Sequence, residues 1–247
     1  MKFAIIKDVL KDIPHTPPND GIVLYNFVLE NKLQNILELG FQHGVSTLYM
    51  AAALDEIGYG TITTIDNLTA KQASPTLIEL AEQIGLNQYI NPIFANSSYN
   101  WELMKIIENN KSKHSDIFDF CFIDGAHSWE TDGFAFFLVD KILKEGSYIL
   151  FDDIDWTFAK SKGLSGSNFV KAMAEDEKNR PQIELVLKYL VAQHQDYKIS
   201  SIKNRWAWVR KAGTNSNTVS FDQLYLNQSI GQDCYNLIKK ILLKIKN

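Results

Sequence analysis

The chain has 247 residues and a formal net charge of -4, with 45% hydrophobic and 22% charged residues. That length supports one sizeable core, or at most two small ones, and the composition is that of an ordinary globular protein. Without a basic excess, nucleic acid is not expected as the main partner, because phosphate binding needs concentrated Lys and Arg. No apolar run reaches the ~18 residues of a membrane-spanning helix. Cys121, inside an apolar run, and Cys234, near the end, make no disulfide framework and fit a reducing, cytoplasmic compartment. The opening stretch "MKFAIIKDVLKDIP" is interrupted by Asp8 and Asp12 and has no small-residue cleavage site, so no signal peptide is expected.

In chain order, residues 1–30 read as an N-terminal extension with helical character. Asn35 to Leu39 then reads as a short strand ended by Gly40, and "VSTLYMAAALDEIG" as a helix stopped by Gly58 and Gly60. "TITTID", Thr61 to Asp66, is a β-branched strand. A helix "TLIELAEQIG", a strand "YINPIFA" and a helix "NWELMKIIENN" follow. "IFDFCFID" is a fourth strand, "TDGFAFFLVDKILKEG" a helix with Phe134, Phe137, Leu138 and Ile142 in its apolar set, and "YILFD" a fifth strand.

Such alternation, with strands apolar on both faces, predicts a single doubly wound α/β domain. Residues 156–180 are looser and contain "SKGLSGS", as a substrate-side insertion would. "IELVLKYLVAQ" reads as a helix, and "YKISSI" and "RWAWVRK" as a hairpin turning at Lys203-Asn204 that adds an antiparallel edge. Residues 233–246 form an amphipathic pattern, expected to be a helix packed on the domain or on a second subunit of a homo-oligomer.

Ligands of open α/β sheets bind beyond the carboxyl ends of the strands, and those ends are where the polar chemistry collects. The first gives "ELGFQHG", with Glu38, Gly40 and Gly44, then Ser46 and Thr47 at a helix start whose free N–H groups favour an acceptor-rich partner. The second ends in Asp66, placed to accept hydrogen bonds from the vicinal hydroxyls of a ribose. A dinucleotide fingerprint fails, since Gln42 and Val45 stand where glycines are needed. These residues therefore point to a nucleoside-type ligand, although glycines in such a loop could also serve only a turn.

The fourth and fifth strands end in Asp124 and in Asp152-Asp153, and the crossover between them brings the tips together. Crowded carboxylates raise one another's pKa, a penalty that a divalent cation such as Mg²⁺ removes. The alternative is that these acids cap a helix and start a turn. His127 could act as a general base, bind substrate, or hydrogen-bond an acid. His43 lies in the first glycine loop, equally open to a ligand, and His15, His114 and His194 are expected at the surface.

"ILELGFQHGVSTLYMA", "TITTID" and "FDFCFIDGAHSWETD…LKEGSYILFDDI" together resemble the motifs of class I S-adenosylmethionine-dependent methyltransferases. Asp124-Gly125-Ala126-His127-Ser128-Trp129-Glu130 with the later Phe-Asp-Asp is similar to a subgroup containing sugar O-methyltransferases, relatives of catechol-type enzymes. The resemblance spans roughly Tyr25 to Asp155 and implies a Rossmann-like, mostly parallel seven-stranded sheet. It implies S-adenosylmethionine as cofactor. Glu38, Gly40 and Gly44 would shape its methionine and ribose pocket, with Asp66 on the ribose and Asn96 and Ser97 near the adenine. Asp124, Asp152 and Asp153 would match the metal ligands and His127 the base.

The resemblance further implies a small-molecule acceptor, with the proton taken by His127 or one of the aspartates, and with Trp129, Trp156 and Phe158 as an apolar wall. The first loop departs from the family in carrying the bulky Phe41, Gln42 and His43, and residues 161–168 match no motif. A metal-independent methyltransferase and a non-catalytic nucleoside-binding scaffold are the alternatives; Asp124, Asp152 and Asp153 argue against the scaffold.

Overall fold

The computed structural model of the chain describes residues 2–110 and 117–213; the expected tail helix, Cys234 and His114 lie outside them. The strands are β1 Asn35–Leu39, β2 Thr61–Asn67, β3 Ile90–Ala95, β4 Phe118–Ile123, β5 Leu143–Phe151, β6 Tyr197–Lys203 and β7 Trp206–Lys211. They form one seven-stranded sheet in the order β3-β2-β1-β4-β5-β7-β6. β1 to β5 run parallel, while β7 is antiparallel to both β5 and β6. The doubly wound architecture with a C-terminal antiparallel hairpin is thus the one the element order implied. Connections leave β1 and β4 in opposite directions along the sheet, which opens a crevice beyond their carboxyl ends.

Side chains alternate between two cores, as the two-residue period of a strand demands. Leu37, Leu39, Cys121, Ile123, Ile149 and Phe151 face one way. There they meet α5 (Tyr99–Asn110), α6 (Trp129–Asp140) and α9 (Gln182–Val186). Ile36, Phe120, Phe122 and Leu150 face the other. Against them pack α1 (Lys2–Leu10), α2 (Pro18–Asn31), α3 (Val45–Ile57) and α4 (Leu77–Ile84). Every residue of α3 from Val45 to Leu54 is buried, because the helix is covered by the sheet on one side and by α1 and α2 on the other.

Three expectations need correction. The helix expected to continue to Gly146 is α6, and it ends at Asp140, with β5 beginning at Leu143. The chain has already turned by Ile142, whose carbonyl accepts the N–H groups of Ile117 and Phe118 at the head of β4. The inward face of α6 is also different. Phe134 and Phe137 are 56% and 39% exposed, whereas Ala135, Phe136 and Val139 are buried.

The cause is Asp132. It is buried, accepts the Tyr99 hydroxyl and the Ser128 N–H, and so turns the 132–136–139 stripe inward. The stretch read as one helix over 183–193 is divided between α9 and a π-helical turn, Leu187–Val191.

Candidate active site

A cavity of about 690 Å³ lies beyond the carboxyl ends of β1, β2, β4 and β5. Gly40, Ser46, Asp66, Ser97, Asp124, His127, Asp152 and Asp153 all line it. The sequence had distributed them over five separate stretches, and parallel strand register brings their ends together.

One end is built by the loop after β1. Gly40 has φ +90, and a Cβ there would stand 2.1 Å from the Asp124 carbonyl oxygen, so only glycine fits. Its N–H bonds the Ile65 carbonyl at 2.8 Å, and the Asp124 N–H bonds that of Leu39 at 2.9 Å. The loop is therefore fastened to β2 on one side and β4 on the other. Asp66 uses Oδ2 to accept the N–H groups of Phe41 and Gln42 at 2.8 and 2.7 Å. A cradle that only a glycine backbone fits, an acid at the next strand tip and a cavity of this size suit a nucleoside-type ligand.

Glu38, Gly44 and Asn96 are not on the cavity wall. Glu38 is fully buried beneath the loop and accepts Ser46 Oγ at 2.5 Å, Thr47 Oγ1 at 2.5 Å and Thr64 Oγ1 at 2.7 Å. Burial pushes its carboxyl up to about 7 against the pull of those three hydroxyls. The Ser46 hydroxyl is thereby committed inward. Gly44 packs behind the loop against Leu77, and Asn96 is exposed next to Ser97.

The other end gathers charge. His127 Nε2 stands 3.8 Å from both Asp124 Oδ1 and Asp153 Oδ2, too far for hydrogen bonds but close enough for ion pairing. Asp124 and Asp152 hydrogen-bond each other, and both are raised, Asp152 to about 6. Burial is the main cause for each. Carboxylate repulsion adds to it, and Arg205 opposes it. The pair thus holds a proton that isolated carboxylates would lose. Trp156 lines the cavity with its ring 5.2 Å from that of His127; Phe158 is buried behind it, and Trp129 packs into the core away from the cavity.

Three residues at the site carry weight that the sequence did not suggest. Arg205, at the β6–β7 turn, sends its guanidinium into the acid cluster, with Nε 3.1 Å from Asp152 Oδ1 and one terminal nitrogen 3.4 Å from Asp153 Oδ1. His15, expected at the surface, lies in the cavity wall with its ring stacked on His43 at 5.8 Å. Its pKa is lowered by burial first, then by His43 and Arg205. Tyr99 bonds Asp132, accepts the Ala126 N–H at 3.2 Å and abuts Gly125, so it sets the loop that carries His127. His194, also expected at the surface, rests against Phe136 and Tyr197.

The acids expected to ligate magnesium do not fit that group as arranged. A fixed monocation stands against Asp152 and Asp153, and among the described residues no three His, Cys, Asp or Glu side chains are disposed to hold a metal ion. Residues 161–164 of the looser segment reach the cavity through Ser161, Gly163 and Leu164.

Comparison with known proteins bears on the fold and on the central part of the chain. Residues 37–154 match the family model described as a methyltransferase domain. The fold is similar to that of an O-methyltransferase from Streptomyces achromogenes involved in tomaymycin synthesis, solved with S-adenosylmethionine. The TM-score is 0.59 at 15% identity, over 86% of this chain and 90% of that one. It is also similar to an O-methyltransferase from Bacillus cereus in complex with S-adenosylhomocysteine, with a TM-score of 0.55 at 16% identity, over 84% and 88% of the two chains. An S-adenosylhomocysteine-bound methyltransferase from Podospora anserina gives a TM-score of 0.56 at 16% identity, over 85% and 87%. At these identities the likeness to solved structures is one of fold. No curated protein matches the sequence. Residues 37–154, which take in β2 to β5 and most of β1, thus match a methyltransferase domain on the fold that these methyltransferases share.

Proposed function

We propose that the protein methylates a hydroxyl of a small-molecule acceptor, with S-adenosylmethionine bound at the Gly40–Asp66 end of the cavity and the acceptor at the His127 end. The observation that carries this reading is the two-ended cavity itself: a glycine cradle with an acid at one end and an imidazole between two carboxylates at the other. Asp66 would accept the ribose hydroxyls, the Gly40 and Ser46 backbone would line the donor's amino-acid end, and Ser97, with Asn96 beside it, would lie near the adenine.

When bound, S-adenosylmethionine supplies an electrophilic methyl group on a sulfonium. The chain's own task is alignment and proton removal. His127 Nε2 takes the hydroxyl proton as the new O–CH₃ bond forms and the C–S bond breaks, leaving S-adenosylhomocysteine. Asp153, 3.8 Å from that nitrogen, stabilises the imidazolium that results, with the proton-sharing Asp124–Asp152 pair beside it. Trp156 closes an apolar side against the acceptor and keeps water from the reacting oxygen. Magnesium assistance through Asp124, Asp152 and Asp153 is what the sequence pattern suggests, but the Arg205 guanidinium faces Asp152 and Asp153.

The test is methyl transfer from radiolabelled S-adenosylmethionine to a panel of sugars and phenols. Transfer to at least one hydroxylated acceptor is expected, and His127→Ala should lower kcat by about 10²–10⁴ while leaving affinity for S-adenosylhomocysteine within about threefold. Turnover unchanged in His127→Ala would remove the base from this scheme. Cofactor binding with no acceptor methylated, from an acceptor panel that includes amines, would favour the scaffold.

A further inference from the structure

We infer that Arg205 is the resident cation of the acid cluster, and that it excludes divalent metal from the position that Asp124, Asp152 and Asp153 would otherwise offer. The inference rests on the methyltransferase reading only for the meaning of the site; the geometry stands without it. The guanidinium lies against three carboxylates, those of Asp152, Asp153 and Asp20, at 3.1, 3.4 and 3.6 Å. It does not enter as a passing surface side chain. The Arg205 carbonyl accepts the Ile154 N–H at 3.0 Å, so the root of the side chain is tied to the same loop that carries the two acids. That loop is itself fixed, with the Asp152 N–H bonded to the Ile123 carbonyl at 3.0 Å and the Asp153 N–H to Asp152 Oδ1 at 2.7 Å.

The charge balance also argues for a resident cation. A guanidinium stays protonated under all ordinary conditions, and its planar fork spans neighbouring carboxylates in a way a point charge does not. A divalent ion placed on the same oxygens would meet that positive charge at a few ångströms. It would also find one lone pair of Asp152 Oδ1 already engaged by the Asp153 N–H. Asp152 is only 2% exposed, so its contact with the guanidinium is not easily traded for water. Arg205 is therefore a positioning residue: it holds Asp153 beside His127 and fills the role that a metal ion would fill elsewhere.

The test is Mn²⁺ binding, read by electron paramagnetic resonance on the full chain, with folding checked by circular dichroism. Wild type and Arg205→Lys, which keeps a cation, are expected to show no Mn²⁺ binding that Asp153→Asn removes. Arg205→Ala and Arg205→Gln should bind Mn²⁺ at least tenfold more tightly than wild type, and adding Asp153→Asn should abolish the gain. Wild-type binding of Mn²⁺ that Asp153→Asn abolishes would overturn the inference, even if both neutral variants failed to fold. So would folded Arg205→Ala and Arg205→Gln that gain nothing. S-adenosylhomocysteine titration of the same samples reports separately on the methyltransferase reading, so failure of one is not mistaken for failure of the other.

Discussion

Glu38 lies under the loop after β1 with its oxygens engaged by three hydroxyls, and its carboxyl is raised to about 7 mainly by burial. The sign of the consequence follows from linkage. A carboxyl whose folded pKa lies above its unfolded value keeps its proton in the native state longer than in the unfolded chain. Stability therefore falls as pH rises from about 4.5 to about 7. The loss over that window is on the order of 3 kcal/mol. Glu38→Gln should flatten this part of the stability–pH curve relative to wild type in chemical denaturation, and an unchanged slope would mean the carboxyl is ionised when folded. Asp66 differs in that it faces the cavity and already holds two loop amides. Asp66→Ala removes both the loop anchor and the proposed ribose acceptor, so affinity for S-adenosylhomocysteine should fall at least ~10-fold, and by less in Asp66→Asn, since charge-assisted hydrogen bonds contribute about 1.5–3 kcal/mol each. Equal affinities in wild type and Asp66→Ala would place the cofactor elsewhere.

Among the elements, β1 and its loop show how tightly a short strand can be specified. Its bounds, Asn35 to Leu39, were legible from the apolar run and the glycine that follows. What alternation also implied, and the motif obscured, is that Glu38 points to the α3 side and never reaches the strand tip. Gly40→Ala would force a side chain into φ +90 and against the Asp124 carbonyl. A loss of about 2 kcal/mol or more is expected in thermal or urea unfolding, together with impaired cofactor binding. In α6 the apolar residues alone suggested a face containing Phe134, yet the buried Tyr99–Asp132 contact selects the face with Phe136. Phe136→Ala should cost about 3–5 kcal/mol, whereas Phe134→Ser should stay within about 0.5 kcal/mol. The reverse ranking in urea melts would show the helix rotated from the orientation described.

Across the whole molecule, strict alternation of strand and helix was enough to give the doubly wound sheet, and the hairpin of Trp206 and its neighbours gave the antiparallel edge. Arg205 was not legible in the same way. It lies about fifty residues beyond Asp153 in the chain and has no motif around it; only the pairing of β7 with β5 brings the β6–β7 turn back to the acids. His15 was missed for a similar reason, since a loop before the first strand gives no sign of which sheet edge it will cover. The packed core offers a global probe. Cys121 is wholly buried in β4, and burial pushes its thiol well up. In a Cys234→Ser background its modification by a thiol reagent should require unfolding and should slow on adding S-adenosylhomocysteine, because a ligand of the native state lowers the unfolded population. Rapid labelling of the native protein would contradict the description of this core.

The most direct test of the account is calorimetric titration of S-adenosylhomocysteine into the pure, ligand-free chain, without metal and then with magnesium. The account predicts micromolar binding at one site per chain, with the same affinity in both conditions and a marked loss in Asp66→Ala. No heat of binding from a folded sample would contradict the assignment of the cavity to this cofactor.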